Sequence, residues 1–192
     1  MSIYQQILLT VLGAALALLT KILLARPFEY IALRIPWFQA KRGSLNGIWI
    51  TQYRYASHGD DVKFRLKCEI YLLRELPFSL VLGRQLGSHN NMSVIRARKG
   101  ERGYLTGTYE NPENDDELHG TFQLWIYGRG GLMRGRFLGF SASNPSYINQ
   151  GEWDWIRVSI NSNQSVQQKI QGQEVDELWE KEKGQFAEAG LE

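Results

Sequence analysis

The chain is poor in the residues that build cross-links and catalytic centres. Of its 192 residues one is cysteine, Cys68, and three are histidine. A lone thiol makes no disulfide and no zinc site, and it suits a reducing compartment. No HExxH, nucleophile elbow or phosphate loop occurs, and Ser141 and Ser143 have no base at fixed spacing. His58, His89 and His119 lack the tight local spacing or carboxylate-rich surroundings of a metal site. An enzyme is therefore the least favoured class, with no catalytic residue, metal or cofactor expected. The net charge is only +2, and no DNA or RNA polymer is expected as a partner.

Positive charge is also missing ahead of the first apolar run. Residues 3–25 are apolar apart from Tyr4, Gln5, Gln6, two threonines and Lys21, and Arg26, Arg34, Lys41 and Arg42 follow. A run of about 20 apolar residues is long enough to cross a bilayer as a helix. A cleaved signal peptide is the alternative, with the small residues Ala14 to Ala17 for a peptidase, but such signals open with a positive region. We read residues 1–26 as a single transmembrane helix, Lys21 snorkelling at its inner edge, with the carboxyl-terminal bulk in the cytoplasm. Gly13 and Ala17 stand four apart on one face and are the expected oligomerisation contacts, although Gly and Ala are common in membrane helices anyway.

Residues 27–43 interleave Phe28, Ile31, Ala32, Ile35 and Trp37 with Arg34, Lys41 and Arg42, as a juxtamembrane amphipathic linker would; a linker helix packed on the soluble domain is the alternative. From 44 to 160 the period changes to two. Gly, Asn, Asp and Pro clusters divide it into eight strands: 47–55, 61–73, 78–86, 91–99, 103–110, 117–127, 132–140 and 150–159. Tight turns at 98–103 and 128–131 imply antiparallel neighbours, and eight such strands make a small up-and-down β-barrel. In the first strand Trp49, Thr51, Tyr53 and Tyr55 are placed inside. In the second, Val62, Phe64, Leu66, Cys68, Ile70 and Leu72 oppose Lys63, Arg65, Lys67, Glu69 and Tyr71, a half-buried, half-wet pattern. Residues 161–192 read as a polar helical tail in which Val175, Leu178 and Trp179 have helical spacing and Trp179 docks on a neighbour. The fold class is thus mainly β: one membrane helix, an eight-stranded antiparallel barrel and a helical tail.

Gly47, Ile48 and Trp49 at the start of the first strand, with Trp153, Trp155 and Arg157 in the last, resemble the lipocalin-like arrangement. That resemblance implies that Trp49 plugs one end under Arg157 and that these residues are structural. The loops 56–60, 87–90, 111–116 and 141–149 then lie at the open end, where a small barrel can hold one ligand. Tyr53, Tyr55, Tyr104 or Tyr109, Trp125 and Arg136 are candidates to stack a flat ring and neutralise a phosphate there, in competition with their use as barrel filling.

The order of membrane helix and glycine-punctuated barrel (105–109, 135–139 and 151–157) resembles the membrane-anchored β-barrel effectors of bacterial cyclic-oligonucleotide anti-phage signalling (CBASS). Those effectors are usually predicted with two spans, whereas residues 27–37 are too short and too charged for a second. The resemblance implies a protein of the inner membrane that binds a cyclic dinucleotide or related messenger and clusters as a homo-oligomer until the membrane is disrupted. It implies ligand contacts from Tyr53, Tyr55, Arg65, Lys67, Tyr109, Trp125, Arg136 and Asn144, with Arg84 and Arg96 as further phosphate candidates. A passive interaction module and a carrier of apolar ligands are the competing classes.

Overall fold

The computed structural model describes residues 5–6, 10–14, 16, 45–57, 63–87, 93–111, 119–127, 130–141 and 144–188. It divides into two units, Met1–Phe38 and Gln39–Glu192. In the first, the described residues are helical, and the Thr10 hydroxyl donates to the Gln6 carbonyl at 2.9 Å. Among the described residues no helix is long and apolar enough to cross a membrane. The span expected at 1–26 falls mostly outside them, as do Ala17 and the whole linker at 27–43.

In the second unit, period-two alternation resolves into eight antiparallel strands that close a barrel in chain order. They are β1 Gly47–Ser57, β2 Lys63–Glu75, β3 Leu80–Leu86, β4 Val94–Lys99, β5 Tyr104–Glu110, β6 His119–Tyr127, β7 Leu132–Ser141 and β8 Asn144–Ser159. The last strand starts six residues earlier than expected, within the supposed loop 141–149. Among the described residues its first half pairs with β7, and pairing to β1 spans Ile48↔Ser159 to Tyr53↔Trp153. Pro145, which cannot donate to a ladder, falls in the irregularity between Phe140↔Ile148 and Ser141↔Asn144.

One end of the barrel is filled. Trp49, Tyr71, Leu73, Leu105, Leu124, Met133 and Trp155 pack inside with Leu45 beneath them. Glu75 ties the incoming chain to that end: Leu45 N donates to its carboxylate at 2.8 Å, and the Glu75 N–H donates to Asn46 Oδ1 at 2.6 Å. Trp49 is wholly buried, donates through Nε1 to the Leu45 carbonyl at 2.9 Å, and has the Arg157 guanidinium 5.5 Å from its ring centroid. The plug expected from the first and last strands is therefore present.

The faces of β2 are the reverse of a simple apolar-inside reading. Lys67, Glu69, Tyr71 and Leu73 belong to the interior, whereas Ile70 and Leu72 form a second core outside the wall with Ile48, Ile50, Leu132 and Ile156. Two C-terminal helices cover it: α1 Gln164–Gln171, capped by Asn163, whose side chain accepts the Val166 N–H at 3.0 Å, and α2 Val175–Glu188. Ile170, Leu178 and Trp179 bury their side chains against this outer core. Burial of this kind stabilises by about 1.5–3 kcal/mol per large side chain. The tail thus docks Trp179 on its own barrel. Half-buried Cys68 packs at the same junction.

Candidate functional site: an aromatic cavity at the open end

Among the described residues, the interior toward the β1–β2, β3–β4, β5–β6 and β7–β8 ends of the strands is not filled. A cavity of about 220 Å³ remains there. Its aromatic wall is Tyr53 and Tyr55 from β1, Tyr109 from β5, Phe137 from β7 and Trp153 from β8, with Phe140 at the rim. The rings brace one another edge to face: Tyr53 and Phe137 at 5.6 Å between centroids, Tyr109 and Trp153 at 5.5 Å, Phe137 and Trp153 at 5.9 Å. Such contacts hold ring planes in place beyond what burial alone contributes.

Glycine sets the depth of this wall. The Tyr109 hydroxyl sits where a β-carbon on Gly139 would lie, and a β-carbon on Gly120 would come within 2.6 Å of it. Larger residues at either position would push the ring into the cavity.

The polar side of the cavity centres on Glu69, whose side chain is 6% exposed. The Tyr71 hydroxyl donates to its Oε2 at 2.9 Å and the Tyr53 hydroxyl to its Oε1 at 3.1 Å, while Lys67 Nζ lies 2.8 Å from Oε1. Lys67 itself is 47% exposed at the mouth. Ser93 and Asn149 complete the lining. Burial, and then the neighbouring charge of Glu69, hold the hydroxyls of Tyr53, Tyr71 and Tyr109 well above the usual tyrosine range, so they stay protonated donors.

Among the described residues the β1–β8 ladder runs as far as Tyr53↔Trp153 and the β2–β3 ladder begins at Ile70↔Leu86, while β1 and β2 stay paired out to Ser57↔Lys63. The cavity lies at the end of the β1–β8 ladder, with Tyr55 of β1 and Asn149 of β8 in its lining.

Of the expected ligand residues, Tyr53, Tyr55, Lys67 and Tyr109 line the cavity together. Trp125 and Arg136 do not: both lie on the outer face, Trp125 against Tyr104 at 4.4 Å, because Phe122, Leu124 and Phe137 take the inward positions of β6 and β7. Tyr104, the alternative to Tyr109, is thereby also outside. Arg96 pairs with Glu110 on β5, and Arg84 lies 3.5 Å from Gln167 of α1, so neither lines the cavity. The side chains of Arg65 and Asn144 lie outside the described ones, as do His58 and His89 altogether. His119 stacks at 4.9 Å on Phe140, and no group of three or more metal-ligating side chains occurs among the described residues.

Sequence reasoning missed Glu69, Tyr71, Ser93, Phe137, Phe140 and Asn149 as cavity residues, and it gave Trp153 only a structural part. Neither a protein-family model nor a curated protein matches the chain.

Proposed function

We propose that the chain is a membrane-anchored, ligand-gated effector of the bacterial inner membrane. Its cytoplasmic barrel takes up a cyclic nucleotide messenger at the open end, and binding clusters copies through the N-terminal span to disrupt the bilayer. The observation that carries this reading is the contrast between the two ends of the interior. One is packed solid around Trp49 and Trp155, while the other keeps about 220 Å³ between braced aromatic rings. A passive interaction barrel has no use for a preserved void with stacking faces.

The cavity is smaller than the 300–1,000 Å³ or so of pockets that enclose drug-sized ligands. One base therefore stacks within it, and the sugar-phosphate ring stays at the mouth near Lys67, with Arg65 two positions further along β2. A carrier of apolar ligands is disfavoured by the charged and polar lining of Lys67, Glu69, Ser93 and Asn149. Gating requires that the ligand bind the clustered and dispersed states unequally. The β1–β2 pair, which runs on beyond the β1–β8 ladder beside the cavity, is the element on which such a difference can act.

The test is a thermal-shift and light-scattering screen of the full-length protein in detergent against cyclic di- and trinucleotides. A raised melting temperature with particle growth, and loss of growth but not of the thermal shift in Gly13→Leu, supports the effector. No shift with any cyclic nucleotide overturns it.

A further inference from the structure

The polar wall of the cavity carries information about which base it takes, an inference that rests on the messenger reading above. We infer that the cavity selects a keto base, guanine or uracil, over adenine or cytosine, with Glu69 as the acceptor that reads the ring N–H.

Hydrogen-bond capacity is the first argument. A carboxylate offers about four acceptor positions. Tyr53 and Lys67 occupy two on Oε1, and Tyr71 occupies one on Oε2. Among the described residues Oε2 therefore keeps an acceptor position, and Lys67, half exposed at the mouth, can release its own. Guanine presents N1–H and N2–H₂ donors along one edge, and uracil presents N3–H. Adenine N1 and cytosine N3 carry a lone pair at the corresponding place, which a buried carboxylate repels in a medium that screens charge weakly.

The opposite polarity is supplied by Trp153. Its indole is 3% exposed and lines the cavity, and among the described residues Nε1 has no hydrogen-bond partner. The nitrogen itself has no open surface, so an acceptor reaches it only when the indole turns, and a buried donor left unmade rewards a ligand that brings one. A keto base brings a carbonyl oxygen as well as the N–H that Glu69 accepts, whereas adenine has no carbonyl at all.

Charge excludes the other end of the nucleotide. Among the described residues that line the cavity, Lys67 is the one cation, and it already neutralises Glu69. A phosphate inside would either lack a counter-charge or draw Lys67 away and leave the buried Glu69 carboxylate uncompensated. The base enters and the phosphates remain in solvent.

The experiment is a titration of the full-length protein in detergent, read by calorimetry and tryptophan fluorescence, with cyclic di-GMP, cyclic di-UMP, cyclic di-AMP, guanosine, uridine and adenosine. The expected result is at least tenfold tighter binding of a keto-base cyclic dinucleotide than of cyclic di-AMP. Glu69→Gln, which replaces one acceptor oxygen by a donor, lowers keto-base affinity tenfold or more and leaves cyclic di-AMP unchanged or improved. Tyr53→Phe keeps the carboxylate and retains the preference. A wild-type preference for cyclic di-AMP, or a keto preference that survives Glu69→Gln, overturns the inference and leaves the messenger reading standing. Binding of guanosine or uridine over adenosine without any cyclic dinucleotide does the reverse. No binding of any of the six overturns both, and the wild-type ranking decides even if Glu69→Gln does not fold.

Discussion

Arg157 stacks its guanidinium over the Trp49 indole at 5.5 Å, joining the last strand of the barrel to the first at the plugged end. The indole also donates to the Leu45 carbonyl, so ring orientation, strand closure and the path of the incoming chain are fixed together. Removing the cation while leaving the indole measures what the Arg157 side chain contributes, the stack included. Arg157→Ala is expected to cost about 1 kcal/mol, a fall of about 2–4 °C in melting temperature for a domain of this size. Trp49→Ala removes the plug itself and is expected to cost about 3–5 kcal/mol. Thermal melts of the two variants check the ratio, and equal losses would mean that Arg157 does more than stack.

The depth of the cavity rests on the absence of a β-carbon at Gly139, whose place the Tyr109 hydroxyl takes. Gly139→Ala is expected to force that ring inward and to cost about 1–3 kcal/mol, as overpacking does. It should also remove whatever binding the cavity supports. Trp125→Ala and Arg136→Ala, on the outer face, are expected to leave binding within twofold. Titration of the three variants with the wild-type ligand tests the placement: loss of binding in the outer-face variants and not in Gly139→Ala would refute it.

Much of this barrel is legible in the sequence because period-two alternation and turn residues are local signals. The eight strands and their chain order follow from them, and the Trp49–Arg157 closure follows from the lipocalin-like resemblance of the first and last strands. The faces are harder, since alternation separates two sets of side chains without saying which set is inside. In β1 the aromatic set points in. In β6 Phe122 and Leu124 point in while Trp125, equally apolar, points out. In β2 the apolar row Ile70 and Leu72 lies outside because α1 and α2 cover it, and this frees the opposite row to place Glu69 and Tyr71 in the cavity. The signal that could have settled β2 was the helical spacing of Val175, Leu178 and Trp179: an amphipathic tail needs an apolar strand face on the outside of the barrel. The extent of β8 was hidden by Pro145, which reads as a loop until the β7–β8 ladder is seen to be irregular there.

Three buried phenols make stability sensitive to alkali. The folded protein holds Tyr53, Tyr71 and Tyr109 above the 10.0 of a free tyrosine, through burial first and the charge of Glu69 after it. Protonated phenols are then favoured in the folded state, so the unfolded chain loses its protons first as pH rises. Their contribution to stability is complete below pH 10 and declines above it, toward the raised folded values. Absorbance at 295 nm is expected to show these three ionising only as the barrel unfolds. If they ionise with the fold intact, the cavity floor is wetter than the geometry implies.

The outer core offers a chemical reporter in Cys68. Burial beneath α2, aided by the nearby Asp176 and opposed by the Gln52 amide that donates to Sγ at 3.4 Å, pushes its thiol up to about 11 from 9.0. At pH 8 the thiolate fraction, and with it the reaction rate with a disulfide reagent, is then about a hundredfold lower than for a free cysteine on this ground alone. Trp179 is the side chain that anchors α2 to the same face, and Trp179→Ala is expected to cost about 3–5 kcal/mol by leaving a void there. Loosening α2 rehydrates Cys68 and moves Asp176 away, and both effects lower the thiol's pKa. The reaction should therefore quicken by tenfold or more in Trp179→Ala at a temperature where the barrel remains folded. The pH at which it reaches half its limiting rate should also fall. An unchanged rate profile beside a lowered melting temperature would mean that Trp179 stabilises the barrel without holding α2 over Cys68, and would separate packing from coverage on this face.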